Sequence, residues 1–181
     1  ADIDFDFVIV DDNDGKKGIL EEQIEALGSH IYRVPRQTGH IRENYLALKK
    51  IMSEKKYDAV HVHLGYKSAV ALYCAKNSGI KTRIVHAHIA YETESFKQKI
   101  IRIIFTMLSK HYATSLFACG VDAAKWVWGK NAYEKDKVTV INNAIETSAY
   151  AYSIEKRKKV RSAFHISDDT LVVGHVGRLC S

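Results

Sequence analysis

The chain has 181 residues, with an apolar share of 46% and a charged share of 27%, enough for one good core and the beginning of a second. No apolar run approaches the ~20 residues that a membrane-spanning helix needs, which excludes an integral helical membrane protein, and the formal charge of +6 favours nucleic acid, acidic lipid headgroups or phosphorylated small molecules as company. Cys74, Cys119 and Cys180 are far apart without a Cys-x-x-Cys pair, so they read as free thiols in a reducing, cytoplasmic compartment rather than as a disulfide framework.

In chain order, Phe5 to Val10 predicts a strand, and Asp11-Asp12-Asn13-Asp14-Gly15 turns it into a helix around Ile19 to Leu27, closed by Gly28. His30 to Val34 is a short strand that ends at Pro35. A helix from about Ile41 to Lys55 follows, with Tyr45, Leu48, Ile51 and Met52 on one face, and then the strand Ala59 to His63. Gly65 opens a loop into a helix over Ser68 to Lys76, and Gly79 ends it before a strand over Arg83 to Ile89. A helix over Phe96 to Tyr112, a strand over Ser115 to Ala118, a helix near Asp122 to Trp128 and a strand over Val138 to Ile141 complete the unit. Asn142 and Asn143 have the chemistry of a left-handed turn. A charged helix over Lys156 to Phe164 then bridges to a new strand over Leu171 to Gly177. Strands spaced by helices predict an α/β fold with a doubly wound, Rossmann-like parallel sheet over residues 1–150. Residues 151–181 read as a linker helix and the first strand of a second domain. The chain begins on the lead-in to a strand and stops at Gly177-Arg178-Leu179-Cys180-Ser181, so both ends read as cut.

The candidate chemistry is carried by histidines. Residues two apart on a strand share a face, so His86 and His88 project together, and His88 sits nearest the carboxyl edge where open α/β sheets bind ligands. The plain alternative is a pair of satisfied core histidines. His61 and His63 end the preceding strand, and four imidazoles at adjacent strand ends have the chemistry to hold zinc in a metal-dependent hydrolase, although no Asp or Glu follows at a later strand end. A receiver-like module is a further alternative. Phe7 to Asp12 looks like the acidic first strand of response regulators, but His63 stands where that family needs its acceptor aspartate, so no nucleophile is present.

One resemblance covers about Phe5 to Leu179. Gly28-Ser29-His30-Ile31-Tyr32-Arg33-Val34-Pro35-Arg36, Tyr57-Asp58-Ala59-Val60-His61-Val62-His63, Arg83-Ile84-Val85-His86-Ala87-His88, Phe117-Ala118-Cys119-Gly120 with Lys125-Trp126, Val138-Thr139-Val140-Ile141-Asn142-Asn143-Ala144-Ile145 and Gly174-His175-Val176-Gly177-Arg178 occur in that order. Together they resemble family 4 retaining glycosyltransferases of the GT-B fold, especially bacterial capsular and exopolysaccharide enzymes. The resemblance implies an acceptor-binding first domain and a second domain that binds a nucleotide-diphosphate sugar. It matches His88 to a catalytic cleft histidine, with His63 and His86 as acceptor or cleft candidates, and Arg178 to the guanidinium on the donor diphosphate. It implies no cofactor and no metal. The family's first strand and glycine-rich loop would precede Ala1 and its lysine and paired glutamates would follow Ser181, so the chain by itself is expected to be inactive. Where relatives carry His-Ser-His-Asn, this sequence has His86-Ala87-His88-Ile89.

The strand missing from that pattern is the central one of the sheet. Residues 171–177 are expected to fill its slot, within one chain or by exchange in a dimer. In the helix over 96–112, Ile100, Ile103, Ile104, Met107 and Leu108 have core spacing and no acid interrupts Lys97, Lys99, Arg102 and Lys110. The expectation is packing on the sheet with a solvated basic face, and such a helix can also lie peripherally on an anionic membrane. Trp126 and Trp128 are expected to pack, and Lys156, Lys158 and Lys159 form a solvated face without a nucleic-acid recognition motif.

Overall fold

The computed structural model describes residues 3–10, 17–90 and 94–177. It divides into two compact units, Ala1–Asn143 and Ala144–Ser181.

All strand pairings of the first unit are parallel. Strand β1 (Phe7–Val10) pairs with β2 (Ile31–Val34), while β3 (Ala59–Val62), β4 (Thr82–Ala87), β5 (Ser115–Ala118) and β6 (Val138–Val140) form a four-stranded sheet in that order. Helices α1 (Glu21–Ala26), α2 (Ile41–Glu54), α3 (Ala69–Asn77) and α4 (Phe96–Tyr112) supply the crossovers that parallel strands require. The expected α/β class is therefore observed, and the sheet is interrupted between β1 and β3, which are not partners, in line with the expected gap at its centre.

The core lies on one face of the larger sheet. Val62, Val85, Ala87, Ala118 and Val138 alternate onto it and pack with Leu72, Cys74 and Ala75 of α3. Beyond β5, α5 (Val121–Ala123) runs into a π-helical turn, Ala124–Trp128, where the sequence predicts a plain helix. That turn seats the fully buried Trp128, whose Nε1 donates to the Phe117 carbonyl at 2.9 Å. Gly129, at φ 90°, then allows the abrupt start of α6 (Lys130–Glu134). At the amino end of β4, the Arg83 guanidinium donates to the carbonyls of Ile80, Lys81 and Tyr112, tying the ends of α3 and α4 to the sheet.

Asp6 bridges the interruption. Its Oδ1 accepts the His30 amide at 2.9 Å, and Oδ2 accepts Lys55 Nζ at 2.8 Å and the Tyr57 hydroxyl at 2.7 Å, joining the start of β1 to the lead-ins of β2 and β3. Burial pushes this carboxyl up, but those three hydrogen bonds outweigh burial and hold it well below the usual carboxylate range. On β2, Arg33 Nη2 donates to both oxygens of Glu21, at 2.8 and 2.6 Å, and so fixes the first turn of α1.

Helix α4 departs from expectation. Ser95 caps it: the Gln98 amide donates to Ser95 Oγ and the Gln98 side chain accepts the Ser95 amide at 2.7 Å. The face turned inward is small and polar. Thr106 and Ser109 are buried, and Ser109 Oγ donates to the Tyr66 carbonyl at 2.9 Å. The residues expected to pack on the sheet, Ile100, Ile103, Ile104, Met107 and Leu108, are instead exposed, Met107 by 66%. The core-packing expectation is thus corrected, because Arg102, held by Glu94 at 2.7 Å and by the Trp126 ring at 4.8 Å, and Ser109 fix the opposite rotation.

In the second unit, a 3-10 turn (Thr147–Tyr150) precedes α7 (Ile154–Ala163), which Ser153 caps through the Lys156 amide. Arg157 pairs with Asp168 at 2.7 Å beyond the helix end. Two further expectations fail. Neither Asn142 nor Asn143 is left-handed, the described non-glycine residues with positive φ being Asp136 and His165. Residues 171–176 form no strand and are exposed, so the expected strand, and with it the chain's own filling of the central slot, is absent. An apolar segment without a neighbouring strand has no ladder to hold it extended.

The Asp6 bridge gives a direct test. Replacing Asp6→Asn removes the charge from three hydrogen bonds and should cost ~2 kcal/mol in chemical denaturation. Since the folded-state carboxyl titrates below the unfolded one, the wild-type advantage should be full above pH ~5 and shrink as pH falls below ~4. An advantage that does not change with pH would contradict this role.

Candidate functional site

Strands β3 and β4 deliver four imidazoles to one edge. His61 lies within β3 and His63 one residue past its end, while His86 lies near the end of β4 and His88 one residue past it. All four belong to the face opposite the core, which also carries Ile84 and Phe117. The structure thus brings together every sequence-predicted histidine at the carboxyl edge of the sheet. Arg178 lies outside the described residues.

The rings are closely arranged. His61 and His63 are 4.1 Å apart between centroids, His86 and His88 are 4.2 Å apart, and His61 lies parallel to His86 at 5.4 Å with 3° between the planes. His63 Nδ1 and His88 Nε2 are hydrogen-bonded at 2.8 Å, one ring donating and the other accepting. One ligand nitrogen each from His61, His63 and His86 lies within 4.8 Å of the other two. Phe117 stands edge-on to both His61 and His86, at 5.8 and 5.9 Å. No role for Phe117 follows from its sequence block. The signal was available in the parallel register, which sets it directly beside His86.

Exposure divides the four. His61, His63 and His88 are exposed, whereas His86 is only 5% exposed. Neither ring nitrogen of His86 closes a hydrogen bond of good geometry, and the Ala118 backbone offers only a weak contact. At His61, His63 and His86, loss of surrounding water first and the neighbouring imidazoles second disfavour a positive charge. His61 is pushed down to about 4, and His63 and His86 are also lowered. These three rings are therefore neutral at pH 7, each with one nitrogen to donate and one to accept. Such a row can hydrogen-bond the hydroxyls of a ligand, take up a proton or ligate a metal.

The chain matches the model of Glycosyltransferase Family 4 over residues 4–149. It is 26% identical over 162 residues to "Putative glycosyltransferase EpsF" of Bacillus subtilis (strain 168), covering 87% of this chain and 42% of that protein. It is 25% identical over 140 residues to the UDP-Gal:alpha-D-GlcNAc-diphosphoundecaprenol alpha-1,3-galactosyltransferase of Escherichia coli, covering 76% of this chain and 36% of that protein. The chain thus spans less than half the length of either relative. Among solved structures, MurG of Acinetobacter baumannii is similar with a TM-score of 0.47 and 13% identity, covering 81% of this chain and 47% of that one.

The neutral cluster predicts a pH response. In a titration followed by NMR, the His61 ring should protonate near pH 4 rather than near the ordinary 6.5. Because the unfolded ring takes its proton at the higher pH, the stability that neutral His61 supports is present above pH ~6.5 and lost as pH falls towards 4. A His61 midpoint at or above 6.5 would refute the packed, neutral row.

Proposed function

Because the chain belongs to glycosyltransferase family 4, we propose that it is the acceptor-side part of an enzyme that transfers a sugar from a nucleotide-diphosphate sugar to a lipid-linked saccharide, with retention of configuration, in surface polysaccharide synthesis. The observation that carries this reading is the imidazole row at the carboxyl edge of β3 and β4, within the matched residues. A relative named for a UDP-Gal donor and a GlcNAc-diphosphoundecaprenol acceptor supports the substrate classes. Under this reading, membership of the family also replaces the receiver-like alternative, which lacks its nucleophile at His63.

His88 is the proposed catalytic histidine. It is exposed at the strand end, and its hydrogen bond with His63 orients the ring towards hydroxyls of the transferred sugar or the acceptor. His86 and His63 are proposed to line the acceptor side, their neutral rings donating and accepting without charge. Arg178 is assigned to the donor diphosphate, where a permanently charged fork stabilises the leaving group as the glycosidic bond breaks. Charge stabilisation of that kind requires no metal and no cofactor. The 181 residues span less than half the length of either relative, and by themselves they are proposed to be inactive.

The proposed place of work is the cytoplasmic face of a membrane. No helix of the described residues is long and apolar enough to span one. Helix α4 instead offers an exposed apolar face beside Lys97 and Lys99, which suits peripheral docking on anionic lipid next to a lipid-linked acceptor, while Lys110 turns away to donate to the Trp128 carbonyl. No nucleic-acid partner is proposed.

Two measurements test this reading. In the full-length parent, a donor screen should find one nucleotide sugar that is consumed, and His88→Ala should lower kcat/KM by ~100-fold or more with that donor. Turnover of no nucleotide sugar, or full activity in His88→Ala, would remove the assignment. In liposome flotation, the chain should bind vesicles containing anionic lipid, and Ile104→Glu with Met107→Glu should abolish binding. Equal flotation of that double variant would rule out α4 as the docking face.

A further inference from the structure

We propose that His61, His63 and His86 form a binding site for one divalent transition metal ion of the zinc, nickel or copper class on the open face of the four-stranded sheet. The inference does not rest on the sugar-transfer reading, whose chemistry needs no metal; an ion here takes the His63 and His86 nitrogens that reading gives to the acceptor, so ion and acceptor compete for them. It begins from the spacing of adjacent strands, which sets His61 of β3, His63 just past its end and His86 of β4 at the corners of a small triangle, with one imidazole nitrogen of each within 4.8 Å of the others. A tetrahedral ion with metal–nitrogen bonds of ~2.0–2.1 Å needs its ligand nitrogens ~3.3 Å apart. The remaining closure is a matter of side-chain rotation in His61 and His63, which are exposed and therefore able to turn, while packing holds His86.

Three further observations point the same way. The His86 ring is buried with neither nitrogen well satisfied, a cost that coordination would remove. His88 supplies an outer contact: assigning the hydrogen-bonding proton to His63 Nδ1 makes that nitrogen the donor to His88 Nε2 and leaves His63 Nε2 as the ligand atom. The donor set is all imidazole, which favours zinc, nickel and copper and disfavours the oxygen-seeking magnesium and calcium. Three protein ligands leave a fourth position facing solvent, so the ion has an entry path and an exchangeable water.

The test uses the untagged chain, stripped of metal and free of sugar or nucleotide. Zinc competition against a chromophoric chelator should show one saturable site, and cobalt should give the strong visible absorption of four-coordinate geometry. His61→Ala and His63→Ala, both at exposed positions, should each weaken zinc binding by more than ~100-fold, and His88→Ala by ~10-fold, with circular dichroism unchanged. His40→Ala and His111→Ala should bind as the parent does. Absence of saturable zinc binding at equimolar protein would overturn the proposal. So would a His61→Ala, His63→Ala double variant that binds as tightly as the parent, since the ion would then sit elsewhere.

Discussion

The period-two alternation of two neighbouring parallel strands governs this structure. Along β3 and β4, Val62, Val85 and Ala87 turn to the helical layer, and every intervening position is committed to the other side. The sequence uses that side for His61, His63, Ile84, His86 and His88. A shift of one residue in register would bury imidazoles among the helices and expose the valines, so the requirement for an apolar core also fixes the polar row. The same constraint makes Ala87 and Ala118 small: both have no exposure, and the Ala124–Trp128 turn packs over the sheet at that level with Trp128 fully enclosed.

Crowding four imidazoles has an electrostatic consequence. A charged His61, His63 or His86 would gain water's solvation, but the sheet beneath removes part of that water and neighbouring rings repel a second charge. For His61, His63 and His86 burial is the larger cause and the neighbouring rings the smaller. The His63–His88 hydrogen bond requires one ring to donate and the other to accept, which two protonated rings cannot do. Neutrality is thus built in by packing, and it suits both recognition of uncharged hydroxyls and ligation of a metal.

The legible parts of the fold were those with a local cause. The bounds of α4 follow from Ser95 with Gln98 at one end and Ala113 at the other, and the place of β5 from the apolar residues Leu116, Phe117 and Ala118 ahead of Gly120. The histidine row was legible because two His-x-His pairs end consecutive strands. What the sequence could not disclose depends on contacts distant along the chain. The gap in the sheet was expected, but the Asp6 bridge across it, to residues 24, 49 and 51 positions away, carries no local pattern. Residues 171–176 have strand composition but no ladder to join, so composition alone misled.

The rotation of α4 illustrates how a few specific contacts override an apolar stripe. Periodicity gives Ile100, Ile103, Ile104, Met107 and Leu108 one common face, and fully burying each would stabilise the fold by ~1.5–3 kcal/mol. The helix nevertheless turns Thr106 and Ser109 inward, where the turn at Gly65–Ser68 presents the Tyr66 carbonyl to the Ser109 hydroxyl. Arg102, stacked on Trp126 and paired with Glu94, locks that orientation from the other side. A helix fixed in this way keeps its largest apolar surface in water, flanked by lysines and free of acids. The anionic membrane surface proposed as its docking partner would complement both features at once, hydrocarbon taking up the exposed isoleucines and methionine and headgroups meeting the lysine charges, whereas water complements only the second.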